Sequence, residues 1–493
     1  PSPTGLQHIG GLRTALFNYL FARSGGGKFI LRLEDTDRTR FDESYVQNLY
    51  DTFAWLGIRW DEGPDIGGPA GPYVQSERTG LYRKYAGELL EQGRAYYCFC
   101  SAERLDRIRK EREAARASET GYDRHCRGID PAEARRRAEA GEVHTIRLRI
   151  PLDGEDAATR FRDRLLGDME WNNGDVNPDP VLIKSDGFPT YHLANVVDDH
   201  LMGITHVLRA QEWLSSTPLH VIMYRAFGWT PPEFCHLPMV MGTDGKKLSK
   251  RHGATSIDEF RDRGYLREAL INYIALLGAS YEEGKDLYSL AELEERFSLD
   301  RLNKAPAVFD YKKLEWYNGV YIRRKGDAEL AELCLPYAVR AGLFGGPGRE
   351  PEGGQREIFV RAMPLIRERL VFLDEAAAKL GYLFAEPDLP PAEDFIPKKG
   401  DLAAAAALLR RGRDLVGPLA EAADDGEAEA LVKGYAEAEG LKLGDLMTPL
   451  RAAVTGARVS PPLFGSIRIL GAERSLARVD RALAALSQAP GRA

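Results

Sequence analysis

The pattern of apolar and polar positions divides the chain into regions of different texture. Near the start, Gly10 and Gly11 open an amphipathic run from Leu12 to Arg23, Gly25 to Gly27 stop it, and Phe29-Ile30-Leu31-Arg32-Leu33 follows as a strand. Turn, helix and strand in that order predict half of a nucleotide-binding α/β unit. From about Leu81 to Glu142 the periodicity is helical and charge-rich, and Thr145 to Ile150 then reads as β, which predicts an insertion. Val181-Leu182-Ile183, Pro189 to Leu193, Val207-Leu208 and a helix around Pro218 to Phe227 are expected to supply the second half of the sheet. Beyond about Asp258 the pattern is almost wholly helical, broken by Gly/Pro-rich loops at Gly342 to Gly354 and Pro387 to Pro397.

At 493 residues the chain exceeds one hydrophobic core, and about three to five domains are expected. No apolar run approaches the ~20 residues of a membrane span, and no secretory signal is visible, which predicts a cytoplasmic protein. Five scattered cysteines argue against a disulfide framework. The net charge of −7 gives no sign of nucleic-acid binding, so any RNA contact must rest on local basic patches. Residues 104–116, 135–137 and 410–413 are candidates, each also compatible with an ordinary solvated helix face.

Two segments carry phosphate-handling chemistry. Pro1 to Gly11 is a stiff turn delivering His8, Gly10 and Gly11 to a helix start, where backbone N–H groups and the helix dipole favour phosphate and an imidazole can donate to it. Far downstream, Gly245-Lys246-Lys247-Leu248-Ser249-Lys250-Arg251-His252-Gly253 is a cationic, glycine-bounded loop, expected to be mobile. Alone, the first could be a structural turn and the second a surface charge run. Together they resemble the HIGH and KMSKS motifs of class I aminoacyl-tRNA synthetases, here His8 to Gly11 and Lys247 to Arg251. Gly11 stands for the last histidine, Leu248 for methionine and Arg251 for the final serine.

The flanks narrow the resemblance. Pro1 to Gly5, Leu33-Glu34-Asp35-Thr36-Asp37, Tyr191 to His200, Glu212-Trp213-Leu214-Ser215-Ser216-Thr217-Pro218, Val308-Phe309-Asp310 and Pro449 to Ala453 are similar to bacterial-type glutamyl-tRNA synthetases, over nearly the whole chain. The resemblance implies a multidomain α/β protein with a Rossmann-type parallel sheet, an α+β insertion and all-α C-terminal domains. It divides the chain into a discontinuous catalytic domain (1–75 and 190–241), an acceptor-end-binding insertion (76–189), a stem-contact domain with the KMSKS-like loop (242–325) and a helical anticodon-binding region (326–493). It implies ATP with Mg2+, L-glutamate and tRNA(Glu) as ligands of a monomer. His8, Gly10, Glu212, Lys247, Ser249 and Lys250 would bind ATP, with His8, Lys247 and Lys250 catalytic. Ser2, Glu34, Tyr191, Asn195 and Arg209 would hold glutamate, Arg209 facing the side-chain carboxylate through its planar fork. From the residues alone, Glu34 and Asp35 could equally be a helix cap and Tyr191 a core residue.

Cys98-Phe99-Cys100 precedes Cys126 by a spacing that suits tetrahedral zinc, with free packed thiols as the alternative. Some family members hold a structural Zn2+ here; Gly128 stands where a late histidine is usual, leaving Tyr122 or His125 as fourth ligand beside Cys98, Cys100 and Cys126. In the helical region, Arg369, Arg451 and Leu463 match anticodon-contacting positions, each arginine also compatible with a surface salt bridge. Two rival readings are an RNA-independent adenylate-forming ligase, which would not need the helical half, and a nonenzymatic tRNA-binding paralogue, which would not need His8, Glu34, Arg209 and Lys250.

Overall fold

The computed structural model describes residues 1–37, 39–115 and 121–488, and of Lys250 the main chain only. Two compact units form, one of residues 1–259 with 271–310, the other of 260–270 with 311–493. The 242–325 segment is thus divided between them.

The first unit runs through helices α1 (Ile9–Ser24), α2 (Glu43–Leu56) and α3 (Thr79–Glu91), strand β1 (Ala95–Cys98), helices α4 (Ala102–Ala114) and α5 (Pro131–Glu139) and strands β2 (Thr145–Leu148), β3 (Ala158–Asp163), β4 (Gly167–Asn172) and β5 (Val181–Ile183). Helix α6 (Tyr191–Leu201), strand β6 (His206–Ala210), helix α7 (Thr217–Phe227) and strands β7 (Glu233–Leu237), β8 (Val240–Met241) and β9 (Ala307–Val308) follow. The helix ends obey local chemistry. Asp42 caps α2 by accepting from Ser44 N at 2.8 Å, and Gly57 and Gly228, at φ 75° and 72°, close α2 and α7 in a left-handed conformation that favours glycine.

The central sheet has the order β4-β3-β7-β6, with β3, β7 and β6 parallel and β4 an antiparallel edge. Its composition departs from expectation. The Phe29 to Leu33 stretch makes only isolated parallel bridges, Ile30 to Glu62 and Leu33 to Val74, instead of a continuous strand. Val181 to Ile183 pairs with β2 in the antiparallel β1-β2-β5 sheet of the insertion, and Tyr191 to Leu193 opens a helix. The other strands of the central sheet, beside β6, come instead from the short, half-buried β3 with its partner β4 and from the short β7, buried apart from Glu233, none of which a purely local reading singles out. Leu89, Leu148, Ile150 and Leu182 of the insertion share one core with Leu193 and Val197 of α6 and Leu219 and Met223 of α7.

A fully buried carboxylate ties these segments together. Asp198 on α6 accepts from Gln75 Nε2 at 2.9 Å, Arg78 Nε at 2.7 Å and Tyr82 Oη at 2.8 Å, and lies 3.7 Å from Arg32 Nε.

The second unit is helical, as the periodicity predicts. Its helices include Tyr311–Arg323, Asp327–Arg340, Gln355–Ile366, Leu402–Arg413, Asp425–Ala438 and Leu443–Thr455, and a final helical stretch, Leu463–Gln488, is broken at Gly471. Arg478, 1% exposed, anchors that stretch through Glu386 and the carbonyls of Tyr382, Ala385 and Val454. No helix among the described residues is long and apolar enough to cross a membrane.

Replacing Asp198 with alanine strands Arg78, 2% exposed, without its buried counter-charge. The expected loss is about 3–5 kcal/mol, read as a lower urea midpoint for the full chain. A midpoint equal to that of the unaltered protein refutes the anchoring role.

Candidate active site

The first unit carries an open cavity of about 1620 Å³, larger than the ~300–1,000 Å³ typical of a single small-molecule pocket. His8, Gly10, Glu34, Tyr191, Asn195, Arg209, Glu212, Lys247 and Ser249 all line it, bringing together motifs some 240 residues apart in sequence.

At one side stands the N-terminus of α1, with no acidic residue in its first turn. His8 is its N-cap: Nδ1 accepts from Gly11 N at 3.1 Å, so in the neutral ring Nε2 carries the proton. Burial, then the nearby Lys247 charge, lowers the His8 pKa, against the pull of Glu212. The outcome is a neutral imidazole with a donor free of the cap. A Cβ at residue 10 would lie 3.3 Å from this ring, so Gly10 makes room for His8 itself as well as for a ligand.

Lys247 Nζ rests 2.5 Å from Glu212 Oε2, both side chains about half exposed. The loop around it is cross-braced. Asp244 binds Arg251 Nη2 at 3.1 Å and His252 Nε2 at 3.0 Å, while His252 Nδ1 accepts from Ser249 N at 3.0 Å. A Cβ on residue 242 would fall 2.7 Å from the His252 ring, which explains glycine there. Lys250 begins a single turn, Lys250–His252, and its side chain lies outside the described residues.

Across the cavity the charges fall into two groups. Arg32 contacts Asp199 at 2.8 Å and Glu34 at 3.2 Å, and Asp198 is shared with Arg78, giving three carboxylates for two guanidinium groups. Burial raises the Asp199 pKa, with Glu34 and Asp198 adding to it and Arg32 opposing. An incoming ammonium would relieve that excess. Ser2 Oγ is 3.5 Å from Glu34, and Asp35 caps Ser76 N, so neither acid caps a neighbouring long helix.

Arg209 is the opposite case. Only 8% exposed, it has no carboxylate within ion-pair reach among the described residues. Nε donates to His236 Nε2 at 3.1 Å and Nη2 to Thr217 Oγ1 at 2.8 Å, while Nη1 has only long contacts, Tyr191 Oη at 3.4 Å and His220 Nδ1 at 3.5 Å. Two of the fork's three nitrogens are therefore engaged by protein, and Nη1 is the nitrogen most weakly held. Burial, then Glu34, pushes the Tyr191 hydroxyl up to about 12, keeping it a donor at neutral pH. Burial, then Arg209, brings His192 down to about 4 and His220 well below its ordinary value. The cation is surrounded by neutral groups.

In the insertion, the sulfurs of Cys98, Cys100 and Cys126 lie within 4.8 Å of one another, and no histidine or carboxylate among the described residues joins them. Tyr122 Oη does, 3.3 Å from Cys98 Sγ and 3.8 Å from Cys100 Sγ. These are the spacings of donors around a tetrahedral ion with ~2.3 Å Zn–S and ~2.0 Å Zn–O bonds. Tyr122 thus fits the fourth position and His125 does not. Burial, then Cys98 and Cys126, pushes the Cys100 thiol up to about 12, a crowding of sulfur charge that a divalent cation would relieve. Arg104 Nη1, 3.5 Å from Cys100 Sγ, and Arg147, 3.8 Å above the Tyr122 ring, supply compensating charge.

Within the helical unit, Arg369 Nη1 donates to Ser460 O at 2.6 Å and Arg451 Nη1 to Ser460 Oγ and Pro461 O at 2.9 and 3.0 Å. Both arginines brace one turn instead of forming surface salt bridges. Leu463 is 3% exposed and offers no surface to a base in this conformation; Val459, 84% exposed, is what the turn presents.

The groups that sequence reasoning missed are Arg32, Asp163, Asp199, Thr217, His220 and His236. Arg32 and Glu34 show the i, i+2 spacing of one extended face, a signal that was available; a histidine inside the buried Glu233–Leu237 strand gave none.

The tRNA synthetases class I (E and Q) catalytic domain family matches residues 1–316, and an anticodon binding domain family matches 329–483. The chain is 57% identical to the glutamate–tRNA ligase of Treponema denticola, with 98% of each chain covered, and 50% identical to that of Borrelia recurrentis, covering 98% and 94%. A crystal structure of a glutamate tRNA ligase from Elizabethkingia meningosepticum in complex with its amino acid superposes with a TM-score of 0.83 at 33% identity, over 99% of this chain and 98% of that one. On this footing of sequence, fold and assembled motifs, the chain belongs to the bacterial glutamyl-tRNA synthetase family of class I aminoacyl-tRNA synthetases.

Proposed function

We propose that the protein uses ATP to join L-glutamate to tRNA(Glu) through a glutamyl-adenylate. One observation carries this reading: a buried arginine with no carboxylate partner among the described residues shares a cavity with an anion-rich cluster and a phosphate-receptive helix end. An amino acid with an acidic side chain complements both charge groups. Its ammonium meets Glu34 and Asp199, its side-chain carboxylate meets Arg209 through Nη1 and the Tyr191 hydroxyl, and its α-carboxylate is left toward ATP, with Ser2 and Asn195 at that end.

The α-carboxylate oxygen attacks the α-phosphorus and pyrophosphate leaves; the terminal ribose hydroxyl of the RNA then attacks the acyl carbon and AMP leaves. No protein nucleophile is needed. His8 Nε2 and the first amides of α1 serve one flank of the phosphates, and Lys247, Ser249 and Lys250 the other, stabilising charge that grows in the transition state. Glu212 holds Lys247 until the nucleotide, carrying its Mg2+, takes over. A tRNA substrate supports a cytoplasmic location, and the anticodon-domain match over 329–483 speaks against an RNA-independent ligase, which has no use for that region.

Cys98, Cys100, Tyr122 and Cys126 would hold a zinc ion that fixes the insertion, which guides the acceptor end. Arg369 and Arg451 would shape the turn at Ser460 that meets the anticodon.

Four outcomes test this. Glutamate-dependent ATP–pyrophosphate exchange is expected only when tRNA(Glu) is present, and its complete absence under both conditions refutes the enzymatic reading. Arg209→Ala should abolish preference for glutamate over glutamine, since an amide facing the buried guanidinium forgoes roughly 3–5 kcal/mol; unchanged discrimination overturns the assignment. Lys250→Ala should lower kcat by about 10²- to 10³-fold. Metal analysis of chelator-free protein should find about one zinc per chain, lost in Cys100→Ser; a metal-free, fully folded chain argues for packed thiols.

A further inference from the structure

Resting on the reading of Arg209 as the glutamate-selecting residue, a second question is what aims it. A buried guanidinium is ordinarily aimed by a carboxylate, as Arg32 is by Asp199 and Glu34. A carboxylate in contact would also cancel the charge on which selection depends.

The sheet solves this by one step of separation. Arg209 on β6 and His236 on β7 are cross-strand register partners, and Asp163 closes the adjacent β3 strand opposite Phe234. The three side chains form a row across three parallel strands. Asp163 Oδ2 accepts from His236 Nδ1 at 2.7 Å and from His236 N at 3.0 Å, while Oδ1 accepts from Leu165 N and Leu166 N at 2.9 and 2.8 Å. With four N–H groups aimed at it and 1% exposure, this carboxylate is an acceptor on every side. His236, fully buried, must therefore carry its proton on Nδ1, leaving the bare Nε2 lone pair toward Arg209 Nε at 3.1 Å and Thr217 Oγ1 at 3.0 Å. Thr217 in turn accepts from Arg209 Nη2 at 2.8 Å.

We propose that Asp163 and His236 are positioning residues for amino-acid selection: Asp163 fixes the imidazole as a neutral acceptor, and His236 with Thr217 holds two edges of the guanidinium so that Nη1 faces the ligand with its charge uncancelled. The wrong tautomer would set N–H against N–H at a buried contact. Protonation would set two cations together.

The test compares full-length His236→Leu, which removes the acceptor at similar volume, with His236→Gln, whose amide oxygen reaches toward the Nε2 position, and with Asp163→Asn, which lets the ring reverse its tautomer. Arg209→Ala is measured in parallel. Each is assayed by tRNA aminoacylation with varied glutamate and with glutamine as the competing amino acid.

His236→Leu and Asp163→Asn are expected to raise the glutamate KM by about 10-fold or more and to lower glutamate-over-glutamine preference by a similar factor. Their kcat at saturating glutamate and their KM for ATP should stay within about 2-fold, a split that a merely structural role would not produce. His236→Gln should restore the glutamate KM to within about 3-fold, and Asp163→Asn added to it should do nothing more, since no tautomer remains to fix. If Asp163→Asn does not fold, the Leu and Gln pair decides.

The proposal is overturned if His236→Leu keeps normal preference while Arg209→Ala abolishes it, or if Leu and Gln are equally impaired in kcat, ATP KM and glutamate KM. If Arg209→Ala itself keeps its preference, the underlying assignment of Arg209 fails instead.

Discussion

The burial of charge is the constraint on which the first unit depends. A guanidinium or carboxylate removed from water is tolerated only when paired or hydrogen-bonded. Asp198 meets that requirement by drawing together a residue beside an extended segment (Arg32), the turn before α3 (Gln75 and Arg78), a residue of α3 (Tyr82) and its own helix α6. The segment from α3 to β5 and the helices α6 and α7 are joined by this buried acid and by the apolar core around it, and α6 delivers Tyr191 and Asn195 to the cavity from the same fixed base.

Against that background the departures from local pairing carry the functional information. Arg209 is buried, yet among the described residues it contacts only neutral groups and its Nη1 is loosely held, while Glu34 and Asp199 share Arg32 with a further acid. One end of the cavity holds a cation with no carboxylate in reach among the described residues, and the other holds more carboxylates than guanidinium groups. Glutamate, the amino acid in the names of the family's members, carries charges that would complement both ends.

The two phosphate motifs and their flanks were legible in the sequence because catalysis demands particular residue types at fixed places on a helix start and a loop. His8, Gly10, Glu34, Tyr191, Asn195, Arg209, Glu212, Lys247 and Ser249 converge on one cavity. The C-terminal helices were equally legible, from periodicity alone. Strand membership was not: β3 and β4 lie in the stretch read as insertion yet complete the central sheet, because parallel pairing is decided by distant partners. Which neighbour stands beside the three thiols needed three dimensions as well, since Tyr122 and His125 are nearly equivalent in spacing and only the Tyr122 hydroxyl lies against the sulfurs. The Asp163–His236 pair lies beyond any local signal, being 73 residues apart.

The contact between Lys247 and Glu212 has an energetic meaning. Both groups are solvated, and an exposed pair of this kind contributes only roughly 0–1 kcal/mol. On the proposed reading of Lys247 as a phosphate-binding group, the carboxylate is a placeholder for the anion the lysine would meet. Because the pair contributes so little, a polyphosphate that replaced the carboxylate would lose little affinity in breaking it.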